Sequence, residues 1–199
     1  MKITPQIKEH LLKDDVLAPL VKQISLPDLD EGNDLYSDLI RSIISQQLSV
    51  KAAETIYRRF LALYSRGYPR PKAVLDMDAE RMRQSGLSRQ KTAYVKNVAR
   101  FFLEEKPKPG RWSDMDDEEI IEYLTQIKGV GTWTAQMILM FSLNRPDIFP
   151  VGDLGIRQSM IELYELSGDR KDVRQQLHDI AENWRPYRSV ACRYLWAWK

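Results

Sequence analysis

An isolated aspartate, Asp153, follows a glycine-rich turn, and its carboxylate is a group that could take part in chemistry. It lies 22 residues after Gly131, in KGVGTWTAQMILMFSLNRPDIFPVGD, and directly before a segment with helical periodicity. A positioned carboxylate can stabilise a developing cation and can accept a proton from water. An aspartate just before a helix is also a common N-cap, contributing about 0.5–2 kcal/mol to stability. The two roles are compatible, and the residues alone do not choose between them.

The turn consists of Lys128, Gly129, Val130 and Gly131, and it separates two stretches of helical apolar spacing. Two glycines one residue apart permit a sharp hairpin and leave little side-chain bulk around the backbone. The N–H groups at the start of the following helix, together with the helix dipole, favour an anion such as phosphate. The alternative is that the turn is only a connector between two packed helices.

Composition limits the classes of protein that fit the chain. Of its 199 residues 43% are hydrophobic and 29% charged, as in a globular domain. There is no apolar run of about 20 residues and the N-terminus is polar, so neither a membrane span nor a secretory signal is predicted, and a cytoplasmic location is expected. Cys192 is the only cysteine, which rules out an intramolecular disulfide and a thiolate metal cluster. His10 and His178 lie in no motif, and we interpret them as structural or surface residues.

Positive charge is concentrated in the middle of the chain, although the net charge is only +2. Residues 51–111 contain 15 Lys and Arg against 6 Asp and Glu, a net charge of +9, whereas residues 1–50 and 112–199 are net acidic. A basic block of this kind is typical either of a solvated helical surface or of a nucleic-acid contact.

Apolar spacing predicts helices throughout and gives no convincing strand, so the fold class is all-α. Two short helices are expected within residues 4–24, a longer one from Leu35 to Gln47, and another starting after Ser49 as its N-cap. The helix from Ser88 is expected to bury one set of side chains and to leave another to solvent or phosphate. The first set is Ala93, Val98, Ala99 and Phe102; the second is Lys91, Lys96 and Arg100.

Three motifs resemble the helix-hairpin-helix DNA glycosylase superfamily, and within it the 3-methyladenine DNA glycosylase II branch. They are KGVGTWTAQMIL followed by FPVGDLGIRQ, the loop SIISQQLSVKAA, and the C-terminal NWRPYRSVACRYLW. The resemblance extends from about Asp34 to Trp198. It implies a two-lobe helical fold with the active-site cleft between the lobes. Residues 35–145 would form the lobe with the hairpin, and residues 1–34 with 146–199 would form the lobe with the catalytic aspartate.

The resemblance also implies roles for the hairpin and for the loop that follows Ile44. The hairpin would grip DNA phosphates through Lys128, Gly129, Val130, Gly131, Thr132 and Thr134. The loop would supply the side chain that fills the gap left when a base is rotated out of the duplex, which restores part of the stacking energy. Gln47 is the expected wedge, with Leu48 close behind. In the alternative interpretation Leu48 is a core residue, and Gln46 and Gln47 only cap a helix.

Trp133 occupies the position at which bifunctional members of the superfamily carry a lysine nucleophile. The resemblance therefore implies a monofunctional enzyme that uses water, with Asp153 as the catalytic residue. An indole face attracts a cationic base by about 0.5–2 kcal/mol. Met137, Trp184 and Tyr187 are further candidates for contact with the substrate, although aromatic residues at helical spacing often belong to a core. Arg188 could orient Asp153 or contact phosphate.

These features predict a glycosylase that excises N-alkylated purines, 3-methyladenine foremost, in base excision repair. Its partner would be double-stranded DNA containing alkylated bases; no membrane contact is expected, and the protein would act as a monomer in the cytoplasm, associated with the nucleoid if bacterial. A single cysteine cannot hold the iron-sulfur cluster of related enzymes, so no cofactor is expected. The hairpin could hold a structural monovalent cation. The alternatives are a non-catalytic helix-hairpin-helix DNA-binding module and a glycosylase for deaminated or oxidised bases.

Overall fold

The computed structural model of the chain describes residues 1–29, 34–108 and 110–199, and these residues form helices joined by short turns. Its α-helices are α1 Pro5–Leu11, α2 Ala18–Gln23, α3 Leu35–Ser45, α4 Val50–Leu61, α5 Pro71–Asp76, α6 Ala79–Gln84, α7 Arg89–Glu105, α8 Asp117–Thr125, α9 Thr132–Phe141, α10 Leu154–Leu163, α11 Arg170–Glu182 and α12 Arg188–Trp198. Single 3-10 turns occur at Ser65–Gly67 and Arg111–Ser113. No strand is present in the described ranges, which confirms the all-α prediction. None of the helices described is long and apolar enough to cross a membrane.

The chain divides into two compact units. The first consists of Met1–Gly32 and Leu139–Lys199, and the second of Asn33–Ile138. The second boundary therefore falls within α9 rather than at residue 145, where the sequence suggested it. The reason is that the segment after α9 is hydrogen-bonded within the first unit: the Ser189 hydroxyl donates to the Arg145 carbonyl at 2.7 Å, and the Ser189 N–H donates to the Pro146 carbonyl at 2.9 Å.

The second unit is organised around α3, whose inward face consists of four fully buried residues. These are Leu39, Ile40, Ile43 and Ile44. Helices α4 and α7 pack against it. In α7 the buried positions are Thr92, Val95, Val98 and Ala99, whereas Ala93 is exposed. The prediction for Ala93 was wrong because a residue two positions from Val95 lies about 200° around the helix from it.

The first unit is centred on α12, in which every residue from Ser189 to Leu195 is buried. Helix α10 packs against α12 and α11. The N-terminal segment is joined to this core through Asp14, whose Oδ2 accepts hydrogen bonds from the Tyr164 hydroxyl at 2.6 Å and from Trp184 Nε1 at 2.8 Å.

Candidate active site

The glycine hairpin connects α8 to α9 and is anchored by two apolar side chains. Ile127 and Val130 are 3% and 4% exposed, and the Val130 N–H donates to the Ile127 carbonyl at 2.9 Å. Lys128 between them is exposed, and its carbonyl accepts a hydrogen bond from Asn97 Nδ2 at 2.9 Å. The buried side chains of Ile127 and Val130 and the hydrogen bond from Asn97 thus hold the hairpin, while the Lys128 side chain faces solvent.

Gly129 and Gly131 serve different purposes. Gly129 has a φ of +110°, and a Cβ added there would lie 2.3 Å from Cγ of Tyr94, so no other residue fits without displacement. A Cβ on Gly131 would meet nothing within 4 Å. The Gly131 carbonyl accepts the first hydrogen bond of α9, from the Ala135 N–H at 3.0 Å. Gly131 therefore keeps the approach open to the N–H groups of the first turn of α9, which have no partner within the helix.

Two of the residues predicted to contact DNA are turned away from solvent. The Val130 side chain is buried, and its N–H is used inside the turn. Thr134 is 2% exposed, and its hydroxyl lies 3.3 Å from Gln46 Nε2, which donates to it. The side chains of Val130 and Thr134 therefore stabilise the hairpin itself, and a DNA contact through the backbone at either residue stays a prediction. Lys128, Gly131 and Thr132 are exposed, as a surface contact requires.

The loop between α3 and α4 presents Gln47 and Leu48 to solvent. Gln47 has a φ of +57° and is exposed, and Leu48 is 38% exposed. The interpretation of Leu48 as a core residue is therefore wrong. Gln46 does more than cap a helix, because its Nε2 donates to the Gly129 carbonyl at 3.4 Å as well as to Thr134. The loop is thus tied to the glycine hairpin, while the choice of Gln47 or Leu48 as wedge stays a prediction.

Lys91 holds the base of this loop, a role that the sequence did not indicate. Its Nζ donates to the Ile44 carbonyl at 2.8 Å and to the Gln46 carbonyl at 2.7 Å, at the C-terminal end of α3. A cation is favourable there because helix C-terminal carbonyls have no partner within the helix. Burial lowers the pKa of the Lys91 ammonium.

Lys96, one and a half turns further along α7, binds the carbonyls of Leu75 and Met77 at 3.2 and 2.7 Å in the same way. The expectation that Lys91 and Lys96 face solvent or phosphate was wrong for both. Arg100 is exposed, as predicted.

Asp153 is 9% exposed, and hydrogen-bond donors from two helices hold its carboxylate. Its Oδ1 accepts hydrogen bonds from the Ile156 N–H at 2.9 Å and from Trp196 Nε1 at 3.0 Å. The first bond makes Asp153 the N-cap of α10, which confirms the structural interpretation. The second fixes the orientation of the carboxylate from α12. The sequence analysis did not identify Trp196 as a partner of Asp153. The only indication in the sequence was an indole N–H, which needs a hydrogen-bond acceptor, in a segment that is otherwise buried.

The segment that leads to Asp153 is fixed by Arg188. The guanidinium donates from Nε to Asp147 Oδ1 at 2.7 Å, and from Nη2 to Asp147 Oδ2 at 3.0 Å and to the Asp147 carbonyl at 2.8 Å. Next to it the Ser189 hydroxyl accepts a hydrogen bond from the Ile148 N–H at 2.9 Å. The roles expected for Arg188, orienting Asp153 directly or contacting phosphate, are therefore replaced by another: Arg188 holds the backbone six residues before Asp153.

The aromatic candidates occupy different environments. Trp184 is fully buried and packs against Phe149 and Tyr164, with ring centroids 6.2 and 6.3 Å away. The prediction that Trp184 is a pocket wall was wrong, because it belongs to the core of the first unit. Tyr187 is half-buried beside His10, at a centroid distance of 5.4 Å. In the second unit Trp133 is 40% exposed near the start of α9.

Met137, the remaining candidate for contact with the substrate, lies in α9 and is half-buried.

The structure also bears on metal binding and on the reactivity of the single cysteine. In the described part of the chain no group of three or more His, Cys, Asp or Glu side chains is arranged to hold a metal ion. Cys192 is fully buried, and burial, followed by the nearby charge of Asp153, raises the pKa of its thiol. His178 packs edge-on against Phe149 at 5.6 Å, in keeping with a structural role.

Comparison with known proteins places these features in one family. Residues 40–186 match the model of the HhH-GPD superfamily of base excision DNA repair proteins. DNA-3-methyladenine glycosylase 1 of Schizosaccharomyces pombe is 39% identical over 168 residues, which cover 83% of this chain and 73% of that protein. The chain belongs to the HhH-GPD superfamily.

Solved structures agree with this assignment. The 3-methyladenine DNA glycosylase of Schizosaccharomyces pombe in complex with abasic DNA matches with a TM-score of 0.84 and 36% identity, covering 96% of this chain and 95% of that one. A DNA-3-methyladenine glycosidase from Bacillus halodurans matches with a TM-score of 0.81 and 33% identity, covering 98% and 88% of the two chains.

Proposed function

We propose that the protein is a monofunctional DNA glycosylase that hydrolyses the N-glycosidic bond of N-alkylated purines, 3-methyladenine foremost, in base excision repair. The observation that carries this proposal is the fixed carboxylate of Asp153, nearly buried and held by Ile156 and Trp196. The names of the relatives support the substrate class, because the glycosylases from Schizosaccharomyces pombe and Bacillus halodurans are both named for 3-methyladenine.

The reaction follows from the chemistry of a single carboxylate. As the bond between the anomeric carbon and the base nitrogen breaks, the electron pair leaves with the base and the sugar gains oxocarbenium character. Asp153 stabilises that cation electrostatically, which is effective because its orientation is set before the reaction begins. A water oxygen then bonds to the anomeric carbon, and its proton passes to the Asp153 carboxylate. An N-alkylated purine is already cationic and leaves as a neutral base, so no residue is needed to protonate it.

Trp133 accounts for the absence of strand cleavage in this proposal. Its indole has no basic amine, so it cannot form the Schiff base that a lysine nucleophile forms with the sugar. The residue is 40% exposed, and an indole face attracts a cationic base by about 0.5–2 kcal/mol. Product DNA would therefore carry an intact abasic site.

We further propose duplex DNA containing alkylated bases as the partner and a monomer in the cytoplasm as the active form. Hydrolysis by water and one carboxylate needs no cofactor. Backbone carbonyls of the hairpin could hold a monovalent cation in a purely structural role. Those at Lys128 and Gly129 already accept hydrogen bonds from Asn97 and Gln46, and no step of the reaction is assigned to a cation.

Asp153→Asn tests the mechanism, because asparagine keeps an N-cap oxygen but loses the charge. We expect DNA binding to be retained and excision from alkylated duplex to be lost, with abasic sites revealed by alkali. Asp78→Asn is the matched control: Asp78 is the N-cap of α6, where its Oδ1 accepts the Arg81 N–H at 2.9 Å, and excision should be unchanged. Full excision by Asp153→Asn would contradict the mechanism.

The same assay separates the alternative functions. Duplexes containing uracil, hypoxanthine or 8-oxoguanine should yield few abasic sites compared with alkylated duplex. Excision confined to one of those bases would favour a glycosylase for deaminated or oxidised bases. Binding without excision from any duplex would favour a non-catalytic DNA-binding module.

A further inference from the structure

A cavity of about 710 Å³ opens on the first unit between α10 and α11. Its wall combines guanidinium groups with an aliphatic surface. The principal residues are Arg157, Arg170, Arg174, Ile161, Val173 and Leu177. This volume lies within the range of ligand sites in proteins.

The three arginines give the cavity a positive charge that the protein neutralises only in part. In the described part of the chain none of Arg157, Arg170 and Arg174 forms a side-chain ion pair or hydrogen bond with a carboxylate. Asp169 also lines the cavity, so the charge of the named lining groups is three positive against one negative, or +2. Asp169 Oδ1 is already used as the N-cap of α11, accepting the N–H groups of Lys171 and Asp172 at 2.7 and 2.9 Å.

Guanidinium groups gathered in this way suit a phosphate. Their planar N–H groups match phosphate oxygens in pairs, and a cluster of like charges is relieved when an anion binds. The N-terminal end of α11, a helix of 13 residues, lies at the same cavity and adds its dipole.

The position of the cavity indicates where the phosphate comes from. Val151 and Gly152 form part of its wall, and Gly152 is bonded directly to Asp153, so the two Cα atoms are about 3.8 Å apart. In the proposed reaction Asp153 meets the sugar of the target nucleotide. The strand continues from that sugar with one phosphate per nucleotide, at about 3.4 Å of helix axis each. Arg157 lies one helical turn after Asp153, and its N–H donates to the Asp153 carbonyl at 3.1 Å. In the proposed reaction the strand therefore passes beside the segment that carries both residues.

We propose that this arginine cavity binds backbone phosphate of the DNA strand that carries the target nucleotide, as a second phosphate site in addition to the glycine hairpin. The inference depends on the proposed function for the identity of the strand. It adds a DNA contact in the net acidic C-terminal part of the chain, outside the basic block at residues 51–111.

The test is the salt dependence of binding to an undamaged duplex. Each phosphate contact contributes about 0.9 to the slope of log K against log salt concentration. Arg157→Gln combined with Arg174→Gln should lower the slope by about 0.9, the contribution of one phosphate, and Arg174→Gln alone should lower it by no more than that. Lys171→Gln is the matched control, because Lys171 is exposed on the same helix, loses the same charge and does not line the cavity. Its slope should equal that of the unchanged protein, and circular dichroism should show the same helix content in every variant.

Several outcomes would overturn the inference. One is an unchanged slope in the double variant; another is an equal loss in Lys171→Gln and Arg174→Gln, which would indicate a general charge effect. Deoxyadenosine monophosphate or inorganic phosphate could raise the melting temperature of the unchanged protein but not that of the double variant. If the double variant also kept the original salt slope for DNA, the cavity would be assigned to a free phosphate compound instead. Binding is measured on undamaged duplex, so this test does not depend on excision. If the unchanged protein excises alkylated bases but the double variant keeps the original salt slope, only the cavity proposal is contradicted. A lowered slope without excision counts against the proposed function alone.

Discussion

The hairpin glycines show how much one Cβ can matter at the scale of a residue. Gly129 combines a positive φ with direct contact on the Tyr94 ring, whereas Gly131 has open space around it. The KGVG pattern presents the two as equivalent, and only the packing separates a glycine required by the fold from one that leaves room for a ligand.

We expect Gly129→Ala to lower the free energy of unfolding by at least about 2 kcal/mol, since backbone strain and overpacking each cost about 1–3 kcal/mol. Gly131→Ala should stay within about 0.5 kcal/mol, as substitutions in open space usually do. Urea unfolding followed by circular dichroism measures both.

Tyr94→Ala provides the control, because it removes the ring that a Cβ at Gly129 would meet. In that background Gly129→Ala should cost less than in the original chain. Equal losses for Gly129→Ala and Gly131→Ala would show that the contact with Tyr94 does not matter.

At the scale of elements, α7 stabilises the ends of two other helices with two lysines. Lys91 binds carbonyls at the end of α3, next to the loop with Gln47 and Leu48, and Lys96 binds carbonyls at the end of α5. The chemistry is the same at both places, but only Lys91 holds a segment that the proposed function brings to DNA.

Lys91→Met should lower the free energy of unfolding by about 1.5–3 kcal/mol, the range for a hydrogen bond to a charged group. It should also weaken binding to duplex DNA, because the loop loses the contacts that hold its base. Urea unfolding and fluorescence anisotropy with labelled duplex measure the two effects.

Lys96→Met is the matched control, with a similar loss of stability expected and no change in DNA affinity. If both variants weakened DNA binding to the same extent, the effect would come from general destabilisation, and Lys91 would have no particular role in positioning the loop.

At the scale of the whole molecule, buried tyrosines make stability depend on alkaline pH. Burial raises the pKa of Tyr36 and Tyr164 strongly, and that of Tyr64 to about 12. Since an unfolded tyrosine ionises near pH 10, the unfolded state loses its protons first as the pH rises. The contribution of Tyr64 to stability is therefore complete below about pH 10 and is lost as the pH rises towards 12.

Tyr64→Phe tests this dependence with little other disturbance, because in the described residues the buried Tyr64 hydroxyl has no hydrogen-bond partner. We expect similar stability at pH 8 and, between pH 10 and 12, a fall in the free energy of unfolding that is shallower by at most about 1.4 kcal/mol per pH unit. Urea titrations at a series of pH values measure it.

Tyr36→Phe provides the contrast, since the Tyr36 hydroxyl donates to the Pro69 carbonyl at 2.6 Å. It should lower stability at pH 8 as well as flatten the alkaline slope. An unchanged alkaline slope in Tyr64→Phe would show that Tyr64 ionises freely in the folded protein.

The sequence by itself determined the helical class, most helix positions and the hairpin, because periodicity and capping are local properties. Ser49 caps α4 through a hydrogen bond three residues away, and Asp153 caps α10 in the same manner. The candidate carboxylate and the position of Trp133 could also be predicted from the sequence, since they depend on a motif with fixed spacing.

Only the tertiary structure decided which partners the polar side chains bind. Gln46 reaches Thr134 across 88 positions of the chain, and Trp184 reaches Asp14 across 170. In the sequence, a lysine that faces water has the same helical spacing as one that binds carbonyls, such as Lys91. A buried tryptophan likewise cannot be distinguished in the sequence from one that lines a pocket. Spacing along a helix determines which face a residue occupies, whereas its partner is determined by whichever distant segment the fold brings to that face.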